Sequence, residues 1–509
     1  MLATVTSLAV LGVDAYPVQV EVDLAPGLPS FQTVGLPDGA VRESKERVRA
    51  ALSNSGFSLP LNRITVNLAP ADVRKEGAGF DLPMALGIVA ASGVLPPEEL
   101  LEIGVVGELA LDGSLRPVRG VLPMAVAAKR EGLKAFIVPW DNGPEAAVVD
   151  GLKVLAAARF EQVVGHLSGR ETLPAVQADT NMLMAQGTAA AVDMNEVRGQ
   201  EHVKRALTIA AAGGHNVLMV GPPGSGKTML SRRLASILPP LTFKEAIELT
   251  QVASVAGALN PGQALMTERP FRSPHHTVSD AGLIGGGTIP RPGEVSLAHH
   301  GVLFLDELPE FKKSVLEVLR QPLESGQVTV TRAAASVDFP ARFMLVAAMN
   351  PCPCGYFGDP KHQCSCSPNQ IRQYRSRVSG PLMDRIDIQI EVPAVPFREL
   401  SAETCGPSSR EYRQEVMNAR QAQQARLNGG GIYCNAQMTT KLTRKYCKLS
   451  NDCLVLLEQA MERLRLSARA YSRILKIART IADLDNEEHI NIPHLSEAIS
   501  YRSLDREVG

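Results

Sequence analysis

A glycine-rich loop at residues 221–228 has the residue types and the spacing that bind the phosphates of a nucleotide. It follows a mostly apolar run at 216–220 and precedes a helical pattern at 229–238. Its glycines let successive backbone N–H groups turn onto phosphate oxygens, and the amino end of the helix adds partial positive charge. The pattern predicts ATP binding, with Lys227 reaching the β- and γ-phosphates and Thr228 holding Mg²⁺. The predicted nucleotide-binding residues are Gly221, Pro222, Pro223, Gly224, Ser225, Gly226, Lys227 and Thr228.

Two adjacent carboxylates, Asp306 and Glu307, follow the apolar run at 301–305. A continuous apolar run is typical of a buried parallel strand, and ligand-binding groups lie just beyond the carboxyl ends of such strands. Asp306 is predicted to coordinate Mg²⁺ through its hydroxyl-bearing partner or a water, and Glu307 to polarise the attacking water. Taken alone, such a pair is also found in solvated turns, but the upstream phosphate loop favours the catalytic interpretation.

Four of the eight cysteines form two close pairs, Cys352 with Cys354 and Cys364 with Cys366, with nine residues between the pairs. Two pairs on either side of a turn can place four thiolates tetrahedrally, and Cys₄ sites favour Zn²⁺. A disulfide framework suits small secreted domains rather than a chain of this size. The pattern predicts a structural zinc site in which His362 could replace one ligand, with free thiols in a loop as the alternative.

The elements that must position these groups fall into distinct regions. Residues 1–168 alternate short β-rich runs with helical patterns, which predicts an α+β or α/β domain. Residues 169–192 lack periodicity, as in a linker. In residues 193–395 strands, a glycine loop and helices alternate, which predicts a parallel sheet. Residues 396–509 carry apolar side chains three or four positions apart, which predicts a helical domain.

Length and composition limit the classes of protein. A chain of 509 residues is too long for one hydrophobic core, and 45% apolar with 21% charged residues is typical of a folded protein. No uncharged apolar run reaches the roughly 18 residues that span a bilayer, and the start lacks the basic segment of a signal peptide. We therefore expect a cytoplasmic protein without a membrane partner. The net charge of −1 does not indicate nucleic-acid binding, so that function would depend on local patches.

Several further residues are identified by resemblance to AAA+ motors of the magnesium-chelatase and MCM type. The segment Leu-Met-Asp-Arg-Ile-Asp at 382–387 is similar to their arginine-finger segment. The resemblance implies that Arg385 acts on the γ-phosphate of a neighbouring protomer, so that activity requires oligomerisation. Asn350, at the end of an apolar run, resembles the polar residue that orients the lytic water. The alternatives are a surface ion pair of Arg385 with Asp384 or Asp387, and a simple turn at Asn350 before a proline.

The segment Ser-Ala-Arg at 467–469 resembles the start of the helix that carries the sensor-2 arginine of the same motors, which contacts nucleotide from a helical lid. The resemblance implies that Arg469 binds nucleotide, with Arg473 one turn further as the competing candidate. The catalytic residues expected in total are Lys227, Asp306, Glu307, Asn350 and Arg385.

From end to end the chain resembles the YifB/ComM family of bacterial proteins. The resemblance is carried by Arg-Ser-Pro-His-His-Thr at 272–277, three glycines at 285–287, Asn-Pro-Cys-Pro-Cys-Gly at 350–355 and Ser-Ala-Arg-Ala-Tyr at 467–471. It implies an α/β fold: a P-loop AAA+ core with helices on both faces of a parallel sheet, a C-terminal helical lid and an N-terminal Lon-protease-like α+β domain. It also implies a hexameric ATPase that uses ATP and Mg²⁺ and, as a helicase, drives branch migration during natural transformation.

The N-terminal domain permits a test of protease function. Lon-type domains place a nucleophilic serine in a segment similar to 75–81 and an activating lysine further along the chain. Here residues 75–81 include no Ser, Thr or Cys, and the later segment at 120–123 includes no lysine. Because a Ser–Lys dyad needs both groups, the domain is predicted to be non-proteolytic and to serve assembly or partner binding.

Two segments are candidates for contact with DNA. Residues 327–332 and 336–339 alternate like the strands of a hairpin, at a place where related helicases carry a pore hairpin. The glycine-rich insertion at 267–300 is predicted to supply a second pore loop. Ordinary solvated loops are the alternative for both. The candidate DNA-binding residues are Arg332 near the hairpin tip, where it would meet a phosphate, and Arg272, His275 and His276 in the insertion.

Residues 410–479 contain 14 basic and 5 acidic side chains, an excess that would give a ring a strong positive field for phosphates. Three functions compete. A hexameric DNA motor that migrates branched junctions is favoured, with single-stranded or branched DNA and recombination proteins as partners. A chelatase-like motor that remodels a protein partner is the alternative. An active Lon-type protease is disfavoured by the missing dyad.

Overall fold

The computed structural model describes residues 1–186, 192–287, 290–331, 336–396, 399, 406–427, 431–464 and 466–502. They build an eight-stranded mixed sheet in the N-terminal part, a five-stranded parallel sheet in the central part and a group of helices at the end. Within these described ranges, no helix has the length and apolar character needed to cross a membrane.

The N-terminal sheet grows from an antiparallel hairpin whose first strand is buried over residues 5–9 and whose second strand alternates buried and more exposed side chains. The strands of this region are β1 (Leu2–Leu11), β2 (Asp14–Ala25), β3 (Ser30–Val34), β4 (Arg63–Ala69), β5 (Ile103–Val105), β6 (Glu108–Leu109), β7 (Leu115–Arg116), β8 (Ala135–Pro139), β9 (Lys153–Ala157) and β10 (Ala175–Val176). The order in the eight-stranded sheet is β10-β9-β8-β5-β1-β2-β4-β3, and β6 and β7 form a separate ribbon.

Helices cover this sheet. They are α1 (Gly39–Asn54), α2 (Asp81–Ala91), α3 (Val121–Arg130), α4 (Gly143–Ala146), α5 (Phe160–Leu167) and α6 (Thr180–Gln186). Every residue of α2 is buried, because it lies between the sheet and α1. Strand β10 and helix α6 lie in residues 169–192, so the segment predicted as a linker carries secondary structure and extends the front sheet by one strand.

The central region contains β11 (Val217–Val220), β12 (Phe271–Arg272), β13 (Gly285–Gly286), β14 (Arg291–Pro292), β15 (Val302–Leu305), β16 (Gln327–Thr331), β17 (Ser336–Pro340), β18 (Met344–Met349) and β19 (Ile388–Glu391). Five of them form one sheet in the order β12-β15-β18-β11-β19, and all neighbours are parallel. The carboxyl ends of these strands therefore meet at one edge of the sheet and the amino ends at the other. The predicted hairpin is β16 paired with β17.

The central helices are α7 (Glu201–Gly213), α8 (Lys227–Ile237), α9 (Phe243–Ala256), α10 (Asp280–Ile284), α11 (Glu294–Leu297), α12 (Lys313–Val318), α13 (Arg320–Ser325), α14 (Pro368–Arg375) and α15 (Gly380–Met383). Alternate residues of β11 enter different cores. Met219 packs in the cluster that contains Leu230 of α8, whereas Leu218 packs in the cluster that contains Leu316 of α12. Because side chains alternate along a strand, the sheet is covered on both faces, as predicted.

The C-terminal region is helical, with α16 (Ser409–Leu427), α17 (Thr440–Tyr446), α18 (Asn451–Leu464), α19 (Ala468–Leu484) and α20 (Ile492–Ser500). Helix α16 is tied to the end of α7. Arg420 and Gln423 donate to the carbonyl oxygens of Ala211 and Ala212 at 2.9 Å and 3.1 Å. These side chains satisfy carbonyls that the last turn of a helix leaves free, so the helical region is fixed to the central sheet through α7.

The front domain contacts the central region through α9. Ser254 of α9 donates to the buried carboxylate of Glu145, and the N–H of Gly120 donates to the Ser254 carbonyl at 3.3 Å. Val148 of the front domain packs beside Leu249 of the same helix. This interface therefore combines apolar burial with a buried carboxylate.

Candidate nucleotide site and cysteine cluster

The phosphate loop connects β11, an inner strand of the parallel sheet, to α8. Gly224 and Gly226 have φ angles of 75° and 88°, in the left-handed region that side chains rarely adopt. At Gly221 a Cβ would collide with the carbonyl oxygen of Val392, so the loop also needs glycine there for space. Helix α8 begins at Lys227, and its first backbone N–H groups have no intrahelical acceptor. The loop is therefore folded as an anion site.

The side chain of Lys227 lies across the mouth of this loop. Its Nζ donates to the carbonyl oxygens of Gly221 and Pro222 at 2.7 Å and 2.9 Å, and to Oδ1 of Asn350 at 3.3 Å. Burial lowers the pKa of this ammonium group, and the carboxylates of Asp306 and Glu307 oppose that effect. These three acceptors are neutral, so none of them balances the charge of the lysine. A bound phosphate would be a negatively charged partner for the ammonium group.

The two predicted magnesium ligands meet at the carboxyl edge of the sheet. Oγ1 of Thr228 donates to Oδ2 of Asp306 at 2.8 Å. Glu307 follows with a left-handed backbone, φ 52°, an uncommon conformation for a side-chain-bearing residue and one that is found at functional sites. Its carboxylate is exposed and lies 3.9 Å from Nδ1 of His276. The arrangement leaves the Glu307 carboxylate facing solvent beside the two predicted magnesium ligands.

Asn350 occupies the position predicted for the residue that orients water. It follows β18, and its side chain lies between Lys227 and the loop that carries the cysteines. Its backbone N–H bonds to the phenol of Tyr374 on α14, whose pKa burial raises to about 12. The polar end of the central strand is therefore fixed by a buried tyrosine that sequence spacing did not single out.

Gln200 also supports the phosphate loop and was not predicted. It has a left-handed backbone, φ 57°, just before α7. Its buried Nε2 donates to the carbonyl oxygens of Ser225 and Pro393 at 3.0 Å and 2.8 Å. A single amide thus ties the loop to the chain beyond β19. Its partners lie 25 and 193 residues away, so no local motif announces the contact.

A cavity of about 860 Å³ lies at the opposite, amino edge of the sheet. Residues that precede strands line it, among them Asn216 before β11 and Gly301 before β15. Seven basic and three acidic side chains contribute to its described wall. They are Arg269, Arg342, Arg385, Arg420, Arg469, Arg473 and Lys476, with Glu245, Glu324 and Asp387. The cavity is therefore strongly positive.

The predicted arginine finger lies in this cavity. Arg385 is only 4% exposed, and its guanidinium contacts the carboxylate of Glu324 and the carbonyl oxygen of Pro381. Its Nε has no hydrogen-bond partner within the described residues. Neither Asp384 nor Asp387 forms its ion pair, so the alternative weighed from the sequence named the wrong carboxylates.

The two sensor-2 candidates stand in the same cavity. Arg469 is well exposed and lies 3.9 Å from Asp384, whereas Arg473 forms a close ion pair with the buried Asp387. Strand β11 separates this edge from the phosphate loop by about 13 Å, at ~3.3 Å per residue. No residue of 221–228 lines the cavity among those described. Arg469 therefore faces away from the phosphate loop of its own chain.

The four clustered cysteines come together. Sγ of Cys352 lies 3.3 Å from that of Cys354 and 3.7 Å from that of Cys364, and Cys354 and Cys364 are 3.6 Å apart. With Cys366 included, the four sulfurs lie within 4.8 Å of one another. Zn–S bonds of about 2.3 Å in a tetrahedron require S···S distances of about 3.8 Å, so this spacing fits zinc.

Backbone N–H groups point at these sulfurs, as expected around metal-bound thiolates. Phe357 donates to Cys352 at 3.3 Å, and Cys354 donates to Cys366 at 3.4 Å. His362, the substitute ligand considered from the sequence, instead pairs with Asp359 at 3.5 Å. The donor set is therefore four sulfurs.

A second group of potential ligands, Glu248, His299 and His300, lies below β15. Nδ1 of His299 accepts a 3.0 Å hydrogen bond from the N–H of Arg342, so Nε2 carries the proton and donates to Glu248. That tautomer leaves Nε2 no lone pair for a metal. Burial lowers the pKa of His299 to about 4. We interpret Glu248, His299 and His300 as a polar hydrogen-bonded network that holds the start of β15 in place.

The four DNA candidates differ in their surroundings. Arg272 donates to both carboxylate oxygens of Glu294 at 2.7 Å and 2.8 Å, which ties the insertion together. His276 lies beside Glu307, while His275 is exposed next to Thr277. Arg332 lies outside the described residues.

The segment compared with the Lon nucleophile, residues 75–81, is buried only at Lys75, Phe80 and Asp81, and it holds no hydroxyl or thiol. Lys75 is fully buried and donates to the carbonyl of Val73 at 2.7 Å. Asp81, at the start of α2, accepts from Arg47 at 2.6 Å and 3.0 Å. This ion pair joins α1 to the first residue of α2.

The strand order, the phosphate loop and the Asp-Glu pair at the carboxyl edge define a P-loop protein of the AAA+ class. Residues 193–400 match the family described as magnesium chelatase, subunit ChlI. Residues 20–142 match the family described as subunit ChlI of Mg-chelatase, and residues 406–502 match the one described as magnesium chelatase, subunit ChlI C-terminal.

Full-length relatives give the family. A competence protein ComM from Haemophilus influenzae is 48% identical over 508 residues, which cover 99% of this chain and 98% of that protein. A protein YifB from Escherichia coli is 45% identical over 506 residues, again 99% and 98%. Lon protease 2 of Bacillus subtilis is 27% identical over 150 residues, 28% of this chain and 26% of that protein. The chain belongs to the YifB/ComM family of magnesium-chelatase-type AAA+ proteins, which confirms the prediction from the motifs.

Proposed function

We propose that this protein is an ATP-hydrolysing motor that acts in the cytoplasm as a hexameric ring and translocates on DNA. The observation that carries the proposal is the separation of the two halves of the hydrolytic site. Lys227, Asp306, Glu307 and Asn350 stand at the carboxyl edge of the sheet, and Arg385 and Arg469 at the amino edge. A complete site then forms only where the amino edge of one protomer meets the carboxyl edge of the next.

The positive cavity suits this role. The described wall of the cavity has seven cationic side chains and only three carboxylates, so positive charge is left uncompensated. The phosphates of a nucleotide on a neighbouring protomer would supply the missing negative charge. Arg385 would exchange Glu324 for the γ-phosphate, and its Nε, which lacks a partner in the described protein, would gain an acceptor. Arg469 is already exposed and would contact the same nucleotide. An arginine supplied in this way is worth about 10³- to 10⁵-fold in rate.

Asp306 and Thr228 would hold Mg²⁺ on the β- and γ-phosphates, and Glu307 would take the proton of the attacking water. Nδ1 of His276 lies 3.9 Å from that carboxylate. Lys227 would turn from its neutral acceptors to the phosphates. These roles use side chains that already stand together at one edge.

DNA is proposed as the track on three grounds. The relative from Haemophilus influenzae is named a competence protein. The basic excess of residues 410–479 supplies positive charge, and the β16–β17 hairpin is the proposed pore hairpin. We propose branch migration of recombination intermediates in natural transformation as the task, with recombination proteins as partners. Arg332 and His275 are the proposed DNA contacts, while Arg272 is engaged by Glu294.

A chelatase-like motor that acts on a protein partner is the second candidate. The three magnesium-chelatase matches favour it, because together they cover the front, central and C-terminal parts of the chain. The two candidates make opposite predictions about DNA. A protein remodeller hydrolyses ATP at a rate that DNA leaves unchanged.

The discriminating experiment is the ATPase rate of purified protein with and without a four-way DNA junction at low salt. The DNA motor predicts stimulation and displacement of a labelled strand, both lost in Lys227→Ala. The variant Arg332→Ala should lower the stimulation and reduce the salt dependence of binding, since one phosphate contact is removed. If junction DNA neither binds to the protein nor stimulates its ATPase activity, the protein-remodelling function would be favoured instead.

We also propose that Cys352, Cys354, Cys364 and Cys366 hold one structural Zn²⁺. The spacing of their sulfurs and the N–H groups that point at them support this. Purified protein is expected to contain about one zinc per chain, as a Cys₄ site binds one ion. Protein purified without chelators that contains no metal would remove the zinc proposal and leave the ATP site untouched.

The front domain is proposed to be non-proteolytic and to serve assembly or partner binding. Ser254 of α9 donates a hydrogen bond to Glu145, so the front domain is in direct contact with a helix of the central region. Cleavage of casein by pure protein in the presence of ATP would contradict this and revive protease function.

A further inference from the structure

The cysteine cluster and the phosphate loop are in direct contact. Gly355, which follows the metal-ligand candidate Cys354, approaches Pro223 so closely that a Cβ would lie 2.5 Å from its Cδ. Gly355 has φ 88°, a conformation that favours glycine. The cysteine loop therefore packs against the outer side of the phosphate loop without a side chain between them.

The same segment contacts the phosphate loop at its other end. Asn350 accepts from Nζ of Lys227 at 3.3 Å. Both contacts belong to residues 350–355, and two of the four cysteines, Cys352 and Cys354, lie between them. A shift of this segment would therefore move both of the groups that touch the phosphate loop.

The other two cysteines connect the cluster to α14. Cys364 and Cys366 come directly before this helix, and its Arg375 returns to donate to the carbonyl of Pro351 at 3.1 Å. The guanidinium of Arg375 also stacks over the ring of Phe357 at 5.3 Å. The cluster thus joins two parts of the chain that meet again beside the phosphate loop.

Little apolar burial holds this loop. Residues 356–367 are exposed or half-buried, and Phe357 is 43% exposed. A polar loop that lacks a core of its own needs another source of order, and four metal–thiolate bonds supply it. The loop is consequently the part of the site whose position would depend most on metal.

We propose that the metal held by these cysteines braces the phosphate loop, so that nucleotide affinity depends on its occupancy. The inference rests on the proposed ATP site and assigns the cysteine cluster a function in it. With metal bound, Asn350 and Gly355 are held against Lys227 and Pro223. Without metal, the segment at 350–355 moves away, and the loop loses the support that shapes its N–H groups for phosphate.

The test measures nucleotide binding by full-length protein rather than turnover. A fluorescent ATP analogue is titrated in excess Mg²⁺ before zinc removal, after removal with a zinc-selective chelator, and after zinc is restored. The dissociation constant should rise about 10- to 100-fold on removal, the range expected for loss of one hydrogen bond to a charged group, and return with zinc. An unchanged constant in metal-free protein would overturn the brace.

Two variants separate the thiols from the contact. Cys364→Ser should lose zinc and bind nucleotide weakly, whereas Cys453→Ser, a buried cysteine of α18, should keep both zinc and affinity. Gly355→Ala keeps all four thiols but places a methyl group against Pro223. It should retain zinc and still bind nucleotide more weakly.

The outcomes distinguish the brace from the ATP site itself. If zinc-loaded wild-type protein does not bind the analogue, the proposed function fails, whatever the cysteines do. If it binds and Gly355→Ala binds equally well, the ATP site stands and the brace is wrong. Should Cys364→Ser fail to fold, Gly355→Ala and the removal and return of zinc decide the question without it.

Discussion

Oγ1 of Thr228 donates a 2.8 Å hydrogen bond to Oδ2 of Asp306, although 78 residues separate them in the chain. They meet because β11 and β15 run parallel in one sheet, with β18 between them, and end at the same edge. A hydroxyl and a carboxylate oxygen at this distance are the hard ligands that Mg²⁺ prefers. In the proposed function these two groups would bind Mg²⁺ from the positions they already occupy.

Asp306→Asn is expected to shift the magnesium dependence. The amide keeps an oxygen for Thr228 but removes the charge that binds Mg²⁺. ATPase activity should fall on the order of 100-fold, as for loss of one group that helps stabilise transition-state charge, and half-activation should need more Mg²⁺. The measurement is the ATPase rate against Mg²⁺ concentration without DNA.

Asp338→Asn is the matched control for that prediction. Asp338 also accepts a hydrogen bond from a threonine hydroxyl, that of Thr329 at 2.6 Å, but it is an exposed residue of the hairpin. Its replacement should leave the magnesium curve in place. Equal curves for both variants would argue against Asp306 as a ligand.

Removal of Arg473 is expected to destabilise the protein more than removal of a surface arginine. Arg473 is the main partner of buried Asp387, and its charge helps hold the pKa of that carboxyl below its ordinary value despite burial. Arg473→Ala should therefore cost about 3–5 kcal/mol of unfolding free energy by leaving a buried charge unpaired. Denaturant unfolding gives the value.

Arg377→Ala supplies the comparison, because Arg377 pairs with Glu310 at 3.1 Å on the surface. Exposed pairs contribute about 0–1 kcal/mol, so this variant should be nearly neutral. The double variant Arg473→Ala, Asp387→Asn should recover part of the loss. Simple additivity of the two changes would mean that the ion pair is not what Arg473 contributes.

Glu145→Gln tests the interface between the front domain and α9. Burial raises the pKa of Glu145, and the hydrogen bonds from Ser254 and Leu122 only partly oppose this. A carboxyl with a raised folded-state pKa favours the folded protein at low pH, and this contribution is lost as pH rises through that pKa. The melting temperature of Glu145→Gln minus that of wild type should therefore increase from about pH 5 to about pH 8.

The difference in melting temperature should change with pH because wild type carries a carboxyl group that ionises at residue 145, whereas the amide of Glu145→Gln stays neutral. Glu102→Gln, at an exposed carboxylate paired with Lys134, is the control and should show a difference that changes little with pH. A Glu145→Gln difference that is constant across the range would show that Glu145 does not titrate differently in the folded protein.

Most residues of the candidate ATP site could be proposed from the sequence because each half is a short local motif. The phosphate loop, the Asp-Glu pair and Asn350 each end an apolar strand, and parallel pairing then brings strand ends together. The same logic predicted the β16–β17 hairpin, although its tip at Arg332 lies outside the described residues. The four cysteines were found because their two pairs are close in sequence.

Other features depend on contacts that no spacing reveals. Glu324 reaches Arg385 from 61 residues away, and Gln200 reaches Pro393 from 193 residues away. The contact of Gly355 with Pro223 follows from the path of two loops rather than from a pattern. Composition also suggested an unstructured segment at 169–192, where a two-residue strand pairs with β9, because so short a strand has no periodicity to detect.

The central claim is that Arg385 completes a site whose Lys227 belongs to another protomer. Lys227→Ala and Arg385→Ala should each be inactive alone, by about 10³-fold or more for the arginine. A mixture of the two should recover ATPase activity, because Lys227→Ala subunits lend Arg385 to intact phosphate loops. Mixing Lys227→Ala with Glu307→Gln, which both damage the same edge, should recover none. Recovery in the first mixture alone is the predicted result, and an Arg385→Ala protein that hydrolyses ATP at the wild-type rate would contradict the account.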